Sequence, residues 1–248
     1  LRTVDVLRID LCPETSLLMP KILVIGCGRS GTNIALEILR GSPSLTASKT
    51  VEDKEFFQRT DEIPNGYLTK CDTFYFTEDE FSKRMKSDPD LHVVWTLRDP
   101  RDMALSKIYR GQPRSMGGDC ATLADDATET GCVADIKDMK AKLRHALKHY
   151  FARVHTVKME HMIDDPVGQA WQLARELRIA WSEAMPHFWT RMRNHDKAAR
   201  YSCPDKSQIE LWRHWRDVYG GWFADGHVDV EGVFNELSEI TRGLGYAP

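Results

Sequence analysis

Between residues 21 and 41 the chain reads KILVIGCGRSGTNIALEILRG, and its glycines and polar residues are spaced to hold an anion. Gly26, Gly28 and Gly31 have the G-x-G-x-x-G spacing of a dinucleotide-binding turn. Gly26 and Gly31 are also placed as in a G-x-x-x-x-G-K-[ST] phosphate loop. Thr32, however, stands where that loop has its lysine, and Asn33 where it has Ser or Thr. The residues actually present suggest another use. Arg29, Ser30, Gly31, Thr32 and Asn33 put a cation, two hydroxyls and successive backbone N–H groups at the start of a predicted helix. That set suits a terminal anionic group that needs no metal.

The elements that must position these groups follow from periodicity. ILVI (22–25) is short, apolar and rich in β-branched residues, as a buried parallel strand is. TNIALEILR then predicts a helix packed on a sheet through Ile34, Leu36, Ile38 and Leu39. YLTKC (67–71), LHVVWTL (91–97) and HTVKM (155–159) predict further strands, the second ended by RDPRD, where Pro100 cannot continue a ladder. Helices are predicted for DMALSKIYR, for residues 135–154, and for DDPVGQAWQLARELRI with Asp165 as N-cap and Pro166 at the first helical position. A last helix, VEGVFNELSEITRGLGY, is closed by Gly243. Residues 42–66 are polar and turn-rich, and 111–134 lack periodicity and predict a surface loop. Strands alternating with helices imply an α/β fold, a doubly wound parallel sheet flanked by helices, over a single domain 19–248.

A dinucleotide fold needs a second strand soon after the first helix, with an acidic residue at its end about 20 residues on. GSPSLTASKTVEDKEFF has no convincing hydrophobic strand before Glu52, so that reading fails in its context. An ATP or GTP loop fails for want of the lysine and of a hydroxyl in register for Mg²⁺. The remaining reading has a family attached. Arg29 to Asn33 resemble the 5′-phosphosulfate loop of sulfotransferases that use 3′-phosphoadenosine-5′-phosphosulfate (PAPS): a strand, a basic residue, Ser-Gly-Thr, then a helix. A second stretch, VVWTLRDPRDMALS, resembles that family's 3′-phosphate element, with Arg98 after a strand and Ser106 eight positions later. An arginine fork with a hydroxyl near a helix start is a sound clamp for a phosphomonoester. A looser match is VHTVKMEHMIDDPVGQAWQLARELRI, where Glu160 fits the family's glutamate and Met159 departs from its usual tyrosine. KSQIELWRHW is similar to a basic-Trp segment near the cofactor loop.

The resemblance implies the P-loop-like sulfotransferase fold, PAPS as donor with 3′,5′-adenosine bisphosphate (PAP) as product, and no metal. It implies cofactor contacts from Arg29, Ser30, Gly31, Thr32, Asn33, Arg98 and Ser106, with Arg29 also acting on the transferred group. For the acceptor's proton it leaves a choice. Cytosolic members carry a lysine and, two residues later, a histidine after the second strand; here these positions are Lys70 and Asp72. Heparan-type members use a glutamate shortly before Phe-Phe, and VEDKEFF offers Asp53 or Glu55 without a fixed register. The base is expected to be Asp72 or Glu55, with Lys70 touching the sulfuryl group or the acceptor. The rivals are a divergent P-loop nucleotide or small-molecule kinase, and a module that binds PAP or PAPS without turnover.

Composition narrows the class further. A formal net charge of −3 gives no reason to expect nucleic acid, so any anion site must be local. The six cysteines show no C-x-x-C and no zinc spacing, which suits reduced thiols in a cytoplasmic protein. Cys120 and Cys132 flank one polar loop and could pair in an oxidising compartment. No apolar run approaches the ~18–20 residues of a membrane span. Residues 1–18 are expected to be a non-native or disordered leader, with Met19 the natural start. The acceptor is expected to be a small molecule or glycan; neither its identity nor the oligomeric state is readable from sequence.

Overall fold

The computed structural model describes residues 19–48, 52–111, 129–192 and 229–247. Its strands are Lys21–Gly26 (β1), Thr46–Ala47 (β2), Tyr67–Asp72 (β3), Leu91–Leu97 (β4) and Val154–Lys158 (β5). They form one parallel sheet in the order β2-β3-β1-β4-β5. The helices among the described residues are Thr32–Arg40 (α1), Glu78–Ser87 (α2), Pro100–Gly111 (α3), Glu129–Tyr150 (α4), Met159–Asp164 (α5), Pro166–Leu177 (α6) and Val230–Gly243 (α7).

Every residue of β1 is buried, as a strand must be when it is paired on both edges and covered on both faces. Its side chains alternate between two cores. Leu23 and Ile25 join Val93 and Trp95 of β4 beneath α2, α3, α4 and α7, in a cluster that includes Phe81, Met103, Ile136 and Leu237. Ile22 and Val24 join Val94 on the opposite face, packed by Ile34 and Ile38 of α1, Met162 of α5 and Leu173 of α6. Asp165 caps α6 by accepting from the Gly168 N–H at 2.9 Å, with Pro166 opening the helix, as the sequence implies.

Two segments differ most from expectation. Residues 129–134 belong to α4 rather than to a loop. Cys132, Val133, Ile136, Met139, Leu143 and Ala146 are all buried, so the helix's apolar stripe starts at Cys132. A glycine and small polar residues hid the start of that period. Cys132 is buried, and its suggested partner Cys120 lies outside the described residues. The second is α2, announced only by Thr77-x-x-Glu80. The Thr77 hydroxyl accepts from the Glu80 N–H, and the Glu80 carboxylate accepts from the Thr77 N–H at 2.7 Å. The proposed leader (1–18), the centre of the predicted loop (112–128) and KSQIELWRHW also lie outside the described residues. No helix among the described residues is long and apolar enough to cross a membrane.

Phe81 is the hub of the larger core, with its ring centroid 5.8–6.2 Å from those of Phe76, Tyr150, Phe57 and Trp95. Phe81→Ala is expected to cost about 3–5 kcal/mol by leaving a cavity the surrounding rings cannot close. Urea denaturation checks this as a lower midpoint with an unchanged slope.

Candidate active site

The parallel register brings the carboxyl ends of the central strands to one edge: Gly26 lies opposite Asp72, and Ile25 opposite Trp95. β1 sits where the strand order reverses, with β3 on one side and β4 on the other, the usual ligand position in a doubly wound sheet. The loop that leaves β1 folds tightly back on the sheet. A Cβ on Gly26 would collide with the Ser30 and Thr96 hydroxyls, so only glycine fits. Those hydroxyls are 2.7 Å apart, and Thr96 donates to the Ile25 carbonyl at 3.2 Å, which leaves Ser30 as donor to Thr96. Ser30 is fully buried, and its N–H donates to the Cys27 carbonyl at 3.0 Å. The hydroxyl expected in an anion cradle is therefore turned inward and anchors the loop to β4.

Arg29 has φ 74° and Gly31 φ 95°. For a non-glycine residue the left-handed region costs roughly 1–2 kcal/mol, so the fold holds Arg29 there against its preference. Gly31 is the N-cap of α1 and gives it no side-chain cap. Helical bonding begins with the Ala35 N–H to the Gly31 carbonyl, so the N–H groups of Thr32, Asn33 and Ile34 have no intrahelical acceptor. Thr32 and Asn33 are partly exposed.

The two motifs meet at Arg29. Its Nε donates to Ser106 Oγ at 2.9 Å, and its carbonyl accepts from Arg98 Nη1 at 3.1 Å. Ser106 is fully buried and Arg98 only 2% exposed, so neither is a surface residue. Burial draws the Arg98 pKa below the ordinary arginine value, while Asp102, Glu160 and Asp99 pull it back. Glu160 supports this corner rather than entering the site. It accepts from the Asp99 N–H at 3.0 Å and from the Tyr246 hydroxyl at 3.0 Å. Arg101 adds a bond to the Ala247 carbonyl at 2.6 Å, so the residues after α7 brace the turn that carries Arg98. Nothing in the sequence near Tyr246 signals this brace.

On the other side of the loop stands Asp72, the last residue of β3. Its Oδ2 lies 3.1 Å from where a Cβ on Gly28 would sit. Burial raises its pKa to about 6, against the pull of Lys107 and the Phe74 N–H. Cys27, beside it, is pushed up to about 12 by burial and stays a thiol, with no nucleophilic role. Lys70 is buried on β3 with its ammonium 3.4 Å from Glu52. Of the acidic residues before Phe56, then, Glu52 reaches the site. Asp53 instead accepts from Arg59 at 2.9 Å, and Glu55 is exposed, its carbonyl accepting from the Gln58 and Arg59 N–H groups. The spacing to Phe-Phe missed Glu52, because only the turn Lys54–Gln58 decides which carboxylate faces β3. Lys107, one position after Ser106, was also invisible as a site residue.

A model of the sulfotransferase domain family matches residues 19–195. No curated protein matches the chain in sequence. Among solved structures the chain is similar to mouse sulfotransferase SULT7A1 complexed with PAP, at 15% identity over 91% of this chain and 88% of that one, with a TM-score of 0.55. It is similar to sulfotransferase STF9 from Mycobacterium avium at 12% identity over 93% and 78%, with a TM-score of 0.55. A retinol dehydratase in complex with retinol and PAP gives 13% identity over 89% and 82%, with a TM-score of 0.51. At these identities the likeness is one of fold, and the fold is the P-loop-like sulfotransferase one.

The raised Asp72 pKa has a stability consequence. The folded chain holds this proton more tightly than the unfolded chain does, so the group's contribution is greatest below about pH 4 and is lost as pH rises through about 6. Asp72→Asn removes that loss. Its melting temperature should gain on the wild type between pH 4 and 7, and two parallel curves of melting temperature against pH would contradict the assignment.

Proposed function

Because the chain belongs to the sulfotransferase domain family, we propose that it moves a sulfuryl group from PAPS to a hydroxyl or amine of a small-molecule or glycan acceptor. The observation that carries this reading is the convergence of Arg29, Ser106 and Arg98 on one loop, beside a helix N-terminus that no side chain caps. The donor set fits a ligand with phosphate groups at two ends. It offers first-turn N–H groups and a cation on one side, and a buried arginine with a hydroxyl on the other.

When bound, PAPS supplies an activated sulfuryl group, open to in-line displacement from the phosphate oxygen that carries it. The chain does the rest. The N–H groups at the start of α1 hold the 5′ end, with Arg29 as the balancing cation. Arg98 and Ser106 hold the 3′-phosphate. An arginine fork with a hydroxyl beside it rewards a 3′-phosphate that AMP and ATP lack, which favours a 3′-phosphorylated nucleotide. Asp72 takes the acceptor's proton at a carboxylate oxygen. A base with a pKa of about 6 is ionised at neutral pH and still strong enough to accept a proton during transfer. Lys70, two residues back on the same strand, contacts the sulfuryl oxygens or the acceptor.

Thermal denaturation with PAP, AMP, ATP–Mg²⁺ and NADH tests the donor site. PAP at a hundredfold excess over Kd is expected to add roughly 2.7 kcal/mol, and Arg98→Ala to abolish the shift. Stabilisation by ATP–Mg²⁺ or NADH in place of PAP would overturn the assignment. With an acceptor in hand, Arg29→Ala is expected to lower the turnover rate on the order of 10²–10³-fold, as loss of a preorganised oxyanion donor does.

A further inference from the structure

Lys107 belongs to neither phosphate motif, yet its side chain is only 11% exposed and its ammonium is paired with Asp135 of α4. Burying an ammonium costs several kcal/mol unless it is well paired, so the position of such a group calls for an explanation. Lys107 reaches across the floor of the phosphate loop. Its Cε and Nζ lie 3.4 and 3.9 Å from where a Cβ on Gly28 would sit, and Asp72 Oδ2 lies 3.1 Å from the same point. A cation from α3 and a carboxylate from β3 therefore converge over one bare stretch of backbone.

Several charged and titratable groups among the described residues act on Asp72. They are Lys107 from α3, with Asp135 of α4 behind it, Glu52 from the segment before β3, Lys70 from β3 itself, and the Cys27 thiol from the loop. Both lysines are paired, Lys70 with Glu52 and Lys107 with Asp135, and of the two Lys107 exerts the larger pull on Asp72. Asp135 fixes the ammonium from behind. Burial works against the Lys107 charge, but Asp135 and Asp72 hold its pKa above the ordinary lysine value, so it stays cationic.

We propose that Lys107 is a positioning residue of the active site: anchored by Asp135, it holds Asp72 anionic and directed over Gly28, ready to receive the acceptor's proton. In the transfer the acceptor's O–H or N–H bond breaks and an Asp72 O–H bond forms, while Lys107 keeps its own protons. The inference rests on the reading of Asp72 as base.

The test follows the Asp72 carboxyl by ¹³C NMR titration in the wild type, Lys107→Met and Lys107→Arg, with PAP stabilisation measured on the same wild-type protein. The Asp72 midpoint is expected near 6 in the wild type. It should rise by about one unit or more in Lys107→Met, a tenfold change in proton affinity, and return to the wild-type value in Lys107→Arg. A midpoint in Lys107→Met within about 0.3 units of the wild type overturns the proposal, since one unit is the effect an adjacent charge should have. If Lys107→Met does not fold, the arginine variant decides alone. A wild-type midpoint supports the role, and a displacement of about a full unit overturns it. Failure of PAP to stabilise the wild type would sink the donor assignment instead, and would leave the Asp72 comparison intact.

Discussion

The bare edge of Gly26 is the constraint on which the site depends. Because residue 26 has no side chain, Ser30 can curl back and bond Thr96 directly over the end of β1. That one buried hydroxyl pair forces the rest of the loop. Residue 29 must turn through the left-handed region, its carbonyl then faces Arg98, and its side chain reaches Ser106. Gly31 follows as an uncapped helix start. A methyl group at residue 26 would break the hydroxyl pair and with it the link between the loop and the Arg98–Ser106 segment.

The architecture then gathers charge where water is scarce. Arg98, Asp72, Lys70 and Lys107 all sit at or near the carboxyl edge of the sheet and are largely buried. Each is tolerated because the fold gives it a counter-charge from a different element: Asp102 and Glu160 for Arg98, Glu52 for Lys70, Asp135 and Asp72 for Lys107. In a low-dielectric setting these pairs are stiff, and a stiff, pre-aimed set of charges is what the transfer of an anionic group requires. The overall charge of −3 says nothing about this, because the relevant cations are local and internally matched.

What could be read in advance was whatever depends on short-range pattern. The central strands are runs of apolar residues between turn signals, and β4 matches its predicted limits of 91 and 97. The placement of Arg98 at a strand end and Ser106 on the next helix was legible because the two lie at a fixed separation, whatever the remainder of the chain does. The features that escaped depend on three dimensions. Ser30 looks like a ligand in sequence, and only the closeness of Thr96, 66 residues away, turns it into an anchor. Glu52, Asp53 and Glu55 are equivalent on paper, and the turn before β3 separates them. Tyr246 reaches Glu160 across 86 residues, a contact no periodicity encodes. The start of α4 was missed for a local reason, its first apolar residue being a cysteine amid small polar neighbours.

The backbone at Arg29 sets stability and chemistry against each other. A glycine or asparagine there would relax a conformation that costs an arginine roughly 1–2 kcal/mol, a backbone gain set against the bond to buried Ser106 that it would remove. The same exchange would delete the cation that joins the two phosphate elements. Where the backbone gain is the larger, a library of variants sorted for thermal resistance alone would drift away from arginine at this position and lose the site while improving the fold. One sorted for turnover would retain the strain.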